Sequence, residues 1–142
     1  MQLTTHTDYA LRLLIFLAVH TDKKATIHDA AAKFAISANH LAKVAQTLVQ
    51  HNYVISHRGR GGGLELGQPA DKIRLGALVR QTENLQLLPC FGNHDSCPID
   101  SACYLKGILG KAQLAFLSVL DEYTLADLVK NKQQLQDLLS VA

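Results

Sequence analysis

One run restricts the possible folds more than any other: His57-Arg58-Gly59-Arg60-Gly61-Gly62-Gly63. Glycine reaches positive φ without a steric penalty, so four glycines in so short a span make a tight tip and belong inside neither a helix nor a strand. The run is bounded by Tyr53-Val54-Ile55, β-branched and aromatic, and by Leu64-Glu65-Leu66. Together these make a β-hairpin with a cationic tip. Its backbone can approach a phosphate closely while Arg58 and Arg60 supply charge. A flexible hairpin with solvated arginines would share this pattern, and the residues ahead of it separate the two. A nucleotide-phosphate loop is disfavoured, because no Gly-Lys-Ser/Thr closes the run.

Two short helical segments precede the hairpin. Thr26 and Asp29 make a capping-box-like start for a helix from Ile27 to Ala35. Ser37 caps the next helix, whose buried stripe is Leu41, Val44, Ala45 and Leu48, leaving Ala38, Asn39, His40, Lys43 and Gln46 on other faces. Helix pairs are common, but a pair followed by a cationic hairpin reads as a winged helix-turn-helix with the second helix as its recognition helix. Base-edge contacts are then expected from Ser37, Asn39, His40 and Lys43, and phosphate contacts from Arg58, Arg60 and the backbone at Gly62. The charge distribution agrees. Met1 to Arg80 holds ten Lys or Arg against five acids, a surplus of five, whereas Gln81 onward holds four against seven, a deficit of three. The first part suits a polyanion and the second does not.

All three cysteines, Cys90, Cys97 and Cys103, fall within CFGNHDSCPIDSAC. Gly92, Asn93, Asp95, Ser96, Pro98 and Asp100 fill the gaps with turn formers, so the segment can wrap a small object such as a metal centre. The odd count, a polar start from Met1 to Thr7, and Arg12 within the apolar run Leu11 to Val19 argue against a secreted disulfide framework. Thiols without an export signal lead to a cytoplasmic expectation, and no apolar run reaches the ~20 residues of a membrane span. Zinc on the three cysteines and His94 is chemically possible, although gaps of six and five residues exceed the usual zinc hooks. An iron-sulfur cluster takes several thiolates and tolerates a non-cysteine ligand, yet this spacing matches neither ferredoxin pattern. Three unrelated buried thiols are the remaining reading, against which their polar neighbours weigh.

The other segments are helical. Thr7 to His20 places Leu11, Leu14, Ile15 and Ala18 at helical spacing, with Asp8 in a first turn where an acid complements the helix dipole. Leu75 to Thr82 is a short helix with Leu78 and Val79 inward. From Leu105 to Leu120 runs a longer one with a broad apolar stripe: Leu105, Ile108, Leu109, Ala112, Ala115, Phe116, Val119 and Leu120. That stripe suits packing against a second copy, whose two-fold axis would match a two-fold DNA site, or against the chain's own first helix. Thr124 and Asp127 cap a last amphipathic segment through Leu125, Leu128 and Val129, with a polar stretch from Lys130 to Gln136 after it. The expected chain is mainly α with a small β-hairpin. A winged helix-turn-helix DNA-binding domain spans residues 1–83, a cysteine loop 84–104, and a dimerisation helix with a C-terminal segment 105–142.

The opening MQLTTHTDYALRLLIFLA, the wing RGRGGGLELGQPADKIRLGALVR, the cysteine loop with its following helix, and DEYTLADLV together resemble a known family over nearly the whole length. That family is the iron-sulfur winged-helix transcription regulators, and within it the likeness is closest to the nitric-oxide-sensing repressors. The resemblance implies a homodimer that binds an inverted-repeat operator in double-stranded DNA and releases it when nitric oxide attacks the cluster. It implies Cys90, Cys97 and Cys103 as thiolate ligands, Asp8 as an oxygen ligand donated across the dimer, and a 4Fe-4S rather than a 2Fe-2S cluster. Cluster-biogenesis members instead carry a histidine three residues after the last cysteine, where this chain has Lys106, a poor iron ligand. Two other functions use parts of the same pattern. A zinc- or cluster-stabilised regulator without nitric oxide specificity would share the cysteines and the wing, whereas an iron-sulfur electron carrier would have no use for the wing. No Ser/His/Asp or paired-carboxylate arrangement stands out, so no catalytic activity is expected.

Overall fold

The first helix, α1 (Thr5–Val19), starts at Thr4, whose hydroxyl accepts the N–H of Thr7, and stops at His20, whose N–H turns back to Leu17 O. The computed structural model describes residues 1–92 and 97–140. In α2 (Ile27–Phe34) the capping box of Thr26 and Asp29 is complete. The helix ends where Ala35 takes a left-handed conformation, φ 52°, and its N–H closes on Ala31 and Ala32. Ser37 then caps α3 (Ala38–Gln50), which buries Leu41, Val44, Ala45 and Leu48, the stripe expected from the spacing.

The hairpin pairs β1 (Val54–His57) with β2 (Gly63–Leu66) in antiparallel register, Val54 opposite Leu66 and His57 opposite Gly63. Gly59, Gly61 and Gly63 all have positive φ, at 89°, 74° and 148°, which explains why the tip is made of glycine. A third short strand-like contact holds the hairpin in place. Ala25, just ahead of α2, forms a bridge with Leu64: Ala25 N–H donates to Leu64 O at 3.1 Å and Leu64 N–H to Ala25 O at 2.7 Å. This bridge anchors the wing to the helix pair.

After a 3-10 turn at Ala70–Lys72, α4 (Leu75–Thr82) buries Leu75, Gly76, Leu78 and Val79. Short 3-10 turns at Pro89–Phe91 and Asp100–Ala102 flank the cysteine segment, and α5 (Tyr104–Asp121) follows at once. The capping box of Thr124 and Asp127 opens α6 (Leu125–Leu128), where Lys130 and the Thr124 N–H hold the Asp127 carboxyl down at about 2. The chain ends in α7 (Lys132–Leu139), a helix where the sequence pattern gave only a polar stretch.

The core is centred on α1. Leu13, Leu14, Phe16 and Val19 have no exposed surface, and Leu41, Leu48, Ile73, Leu78 and Leu125 close around them. Of the stripe expected for α1, Leu14 and Ala18 are buried but Leu11 and Ile15 only half-buried; the buried face runs instead through Ala10, Leu13, Leu14 and Leu17 and takes in the whole last turn, Phe16 to Val19, because α6 and α7 cover the side that α3, α4 and β2 leave open. Of the two expected supports for the long helix, its own first helix is not the principal one, since α5 packs chiefly on α4.

Gly63 tests the anchoring of the wing. A Cβ at this position would sit 2.9 Å from Ala25 O at an unfavourable φ. Gly63→Ala is expected to lower unfolding stability by about 1 to 3 kcal/mol. Urea denaturation measures it, and an unchanged midpoint would mean that the bridge does not hold the wing.

Candidate nucleic-acid interface and metal centre

The candidate interface is formed by α3 and the wing, with α2 packed behind α3. Ser37 sits at the cap of α3, its hydroxyl accepting the His40 N–H at 3.4 Å, so its side chain already serves the helix start. Asn39 and Lys43 are exposed on α3. His40 is half-buried, its ring edge-on to Tyr9 of α1 with centroids 4.8 Å apart. Arg58 and Arg60 are exposed on either side of Gly59 at the wing tip. At Gly62 a Cβ would overlap His57 O, so the tip closes only on glycine. Between α3 and the hairpin lies a groove of about 460 Å³ lined by Ala42, Gln46, Ser56 and Arg58 among others, with an amide on the α3 wall and a hydroxyl and a guanidinium on the hairpin wall.

Two features of this surface were not singled out from the sequence. His57 Nε2 donates to Glu65 Oε1 at 2.7 Å, bracing the hairpin diagonally across its strands. Lys24 comes alongside Gly63 through the Ala25–Leu64 bridge, so it stands beside the wing as a further cation. The Lys23-Lys24 pair was visible, but nothing local says that Ala25 pairs with Leu64 so much later in the chain.

The cysteine segment lies between α4 and α5. Cys90 falls in the 3-10 turn Pro89–Phe91, Cys97 precedes the turn that leads to Asp100, and Cys103 is the residue from which α5 starts. All three thiols are free and half-buried. The donor set therefore fits a thiolate-held metal centre in its chemistry: three unpaired thiols, polar surroundings and short turns. Among the described residues, no three His, Cys, Asp or Glu side chains stand close enough together to hold an ion. His94 and Asp95, the loop's other candidate donors, lie outside the described residues. Lys106 donates to Asp100 Oδ1 at 2.8 Å, so its ammonium engages a carboxylate of the cysteine segment.

Asp8 occupies the first turn of α1, as expected, and is half exposed. Its Oδ1 accepts from Arg12 Nε at 2.9 Å, one turn along. The N-terminus of α1 is also tied to the segment that leads to the cysteines. Thr4 donates through its N–H and its hydroxyl to Glu83 Oε1, at 2.6 and 2.9 Å, and the buried Thr7 hydroxyl donates to Thr82 Oγ1 at 2.8 Å. Burial pushes the Glu83 carboxyl up, but the polar threonines around it, with the two hydrogen bonds that Thr4 donates, outweigh it and hold the group below its ordinary value. Glu83 was not foreseen; in the sequence it is an ordinary polar residue at a helix end.

A capped helix pair, a glycine-tipped cationic hairpin bridged to the residue ahead of it, and a long helix beyond define a winged helix-turn-helix transcriptional regulator. Residues 3–131 match the family model Rrf2, described as an iron-dependent transcriptional regulator. The chain belongs to the Rrf2 family. It is 46% identical over 144 residues to the HTH-type transcriptional regulator NsrR of Bacillus subtilis (strain 168), with 99% of each chain covered. It is also 46% identical over 142 residues to the regulator of that name from Geobacillus kaustophilus, covering 98% of this chain and 97% of the relative. Among solved structures, T. potens IscR superposes with a TM-score of 0.74 at 23% identity, covering 96% of this chain and 91% of that one. CymR, the global cysteine regulator of B. subtilis, gives 0.73 at 23%, covering 92% and 98%. No helix among the described residues is long and apolar enough to cross a membrane.

The contact with Tyr9 gives His40 a structural share that Asn39 and Lys43 lack. His40→Ala is expected to destabilise the fold by about 0.5 to 1.5 kcal/mol. Asn39→Ala and Lys43→Ala should stay within about 0.5 kcal/mol of the parent in the same chemical denaturation experiment.

Proposed function

We propose that the chain is a homodimeric repressor that binds an inverted-repeat operator while an iron-sulfur cluster is intact and releases it when nitric oxide reaches the iron. The observation that carries this reading is the set of three free thiols between α4 and α5 in a chain whose near-full-length relatives are named NsrR. The family resemblance set out from the sequence supplies the nitric oxide chemistry.

Cys90, Cys97 and Cys103 would hold the cluster as thiolates, with a fourth, oxygen ligand from Asp8 of the partner subunit. The cluster, when bound, supplies iron open to a diatomic molecule, most of all where the ligand is a hard, labile carboxylate. The residues of this chain do the rest. Arg12 holds the Asp8 carboxylate in the single chain, so ligation has to draw that oxygen away from the guanidinium. Asp8 lies one residue from Tyr9, whose ring rests on His40 of α3, so a shift of the α1 N-terminus has a short packed path to the recognition helix. Asn39 and Lys43 read base edges, and Arg58, Arg60 and the backbone at Gly62 hold phosphates. The domains divide accordingly, residues 1–83 for DNA, 84–104 for the cluster and 105–142 for the dimer.

Dimerisation is supported by the outer face of α5. Leu105, Ile108, Ala112, Ala115 and Val119 are all exposed, and their spacing of three and four residues is that of a helix-pairing seam.

Asp8→Ala is the deciding variant. It is expected to leave a folded protein whose iron-sulfur absorption is lost or altered, whose operator binding is weaker and whose nitric oxide response differs. The measurements are an anaerobic spectrum, then operator binding before and after nitric oxide. A wild-type spectrum with wild-type sensitivity would remove Asp8 from the mechanism, and a colourless wild-type protein containing zinc would overturn the cluster. In the same binding assay, Arg58→Ala and Arg60→Ala should each weaken binding to all sequences alike and reduce the salt slope by about one unit. Asn39→Ala or Lys43→Ala should instead relax discrimination at particular base pairs by about 1 to 3 kcal/mol.

A further inference from the structure

The contact that fastens α5 to the DNA-binding unit has no part in reading DNA, in holding metal or in the seam. Arg80 of α4 grips the carboxylate of Asp121, the last residue of α5, in a two-pronged pair: Nη1 to Oδ1 at 2.6 Å and Nη2 to Oδ2 at 2.7 Å. Arg74 donates to the Asp121 carbonyl at 2.9 Å. Gly76 lies under the carboxylate, where a Cβ would overlap Asp121 Oδ1. Beside this fork runs a backbone strap in which Leu75 N–H donates to Tyr123 O at 3.0 Å and Leu125 N–H to Ile73 O at 2.8 Å.

The strap, the buried Leu117 and the bond from the Gln113 side-chain amide to Leu85 O hold α5 against α4, but apolar packing and single hydrogen bonds resist a change of crossing angle only weakly. A planar guanidinium facing a planar carboxylate fixes direction as well as distance. We propose that Gly76, Arg80 and Asp121 form a positioning clamp that sets the angle of α5 on its DNA-binding unit, and thereby the half-site spacing the dimer accepts. The inference rests on the homodimeric reading above.

The geometry makes the effect large. Helix α5 spans 18 residues, roughly 27 Å, with its seam running from Leu105 to Val119 on the side of the fulcrum away from Asp121. A swing of about 10° at Asp121 moves the far end by about 4 to 5 Å, more than the ~3.4 Å between successive base pairs. A loosened clamp would therefore let the two reading heads settle on operators of more than one length.

The test uses the purified cluster-loaded dimer and a set of operators with identical half-sites, selected on the wild-type protein, whose separation changes in single base-pair steps. Two variants open the clamp differently. Gly76→Ala pushes the carboxylate aside while favouring the helix it sits in, so the fold survives. Arg80→Lys keeps the charge and loses the fork. The wild type is expected to lose affinity about tenfold for each base pair added or removed, and both variants to flatten this to about threefold or less, with dimer mass and cluster absorption unchanged. Variants with the wild-type spacing profile, or variants that fall apart into monomers, would overturn the clamp while leaving the repressor reading intact. A wild type that is monomeric or indifferent to half-site arrangement would overturn the repressor reading, and the clamp with it.

Discussion

Burial of the first helix is the constraint on which the rest of the structure depends. Fully burying a large aliphatic or aromatic side chain contributes about 1.5 to 3 kcal/mol, and α1 buries Leu13, Leu14, Phe16, Leu17 and Val19 among others. That gain is available only if neighbours surround the helix. The recognition helix, the second strand of the wing, α4 and the C-terminal α6 and α7 all supply part of the cover. The N-terminal helices, the hairpin and the C-terminal helices α6 and α7 thus share one core. Whatever displaces α1 must disturb its packing against α3, because the two lie against each other along their length and Tyr9 meets His40 at the edge.

Polar groups in this core are handled locally. Thr7, fully buried, donates its hydroxyl hydrogen bond to Thr82 Oγ1, and the Thr82 hydroxyl in turn donates to Leu78 O, so both hydroxyls are satisfied where α1 meets α4. His20, at the other end of α1, turns Nδ1 to Phe16 O at 2.8 Å and lays its ring against the Phe16 ring. Gln136 of α7 reaches Val19 O at 2.9 Å, which ties the last helix to the end of the first. These bonds explain why polar residues are tolerated at positions that burial would otherwise reserve for apolar ones.

Two parts of the surface stand out. Lys43 of α3 and Arg58 and Arg60 of the wing are exposed cations, and α5 carries the exposed apolar side chains Leu105, Ile108, Leu114 and Val119, each more than half accessible. Between the two lie the cysteine turns and the Thr4–Glu83 contact. The fold itself survives at identities near 23%, as the likeness to T. potens IscR illustrates, because packing on α1 needs apolar shape and helical spacing more than particular residues.

Features decided within a few residues were legible in the sequence. The caps at Thr26, Ser37 and Thr124, the buried stripe of α3 and the glycine tip each depend on side chains meeting a backbone group or a neighbour one turn away. The cysteines could be grouped by composition, since turn formers lie between them, although spacing alone left cluster, zinc and plain thiols open. Contacts between distant segments were not legible, because many pairings satisfy the same local pattern and only the packed whole selects one. So Ala25 joined Leu64, Glu83 came to cap Thr4, and Gly76 made room for Asp121. The polar-looking tail became α7 because Leu135 and Leu139 found shelter on α1. The elements from α1 to α6 could be read from the residues alone, since propensity, capping and charge act at short range. Only the tertiary structure decided that α5 would turn its apolar seam outward, because α4 takes one side of the helix and the space around α1 is already filled.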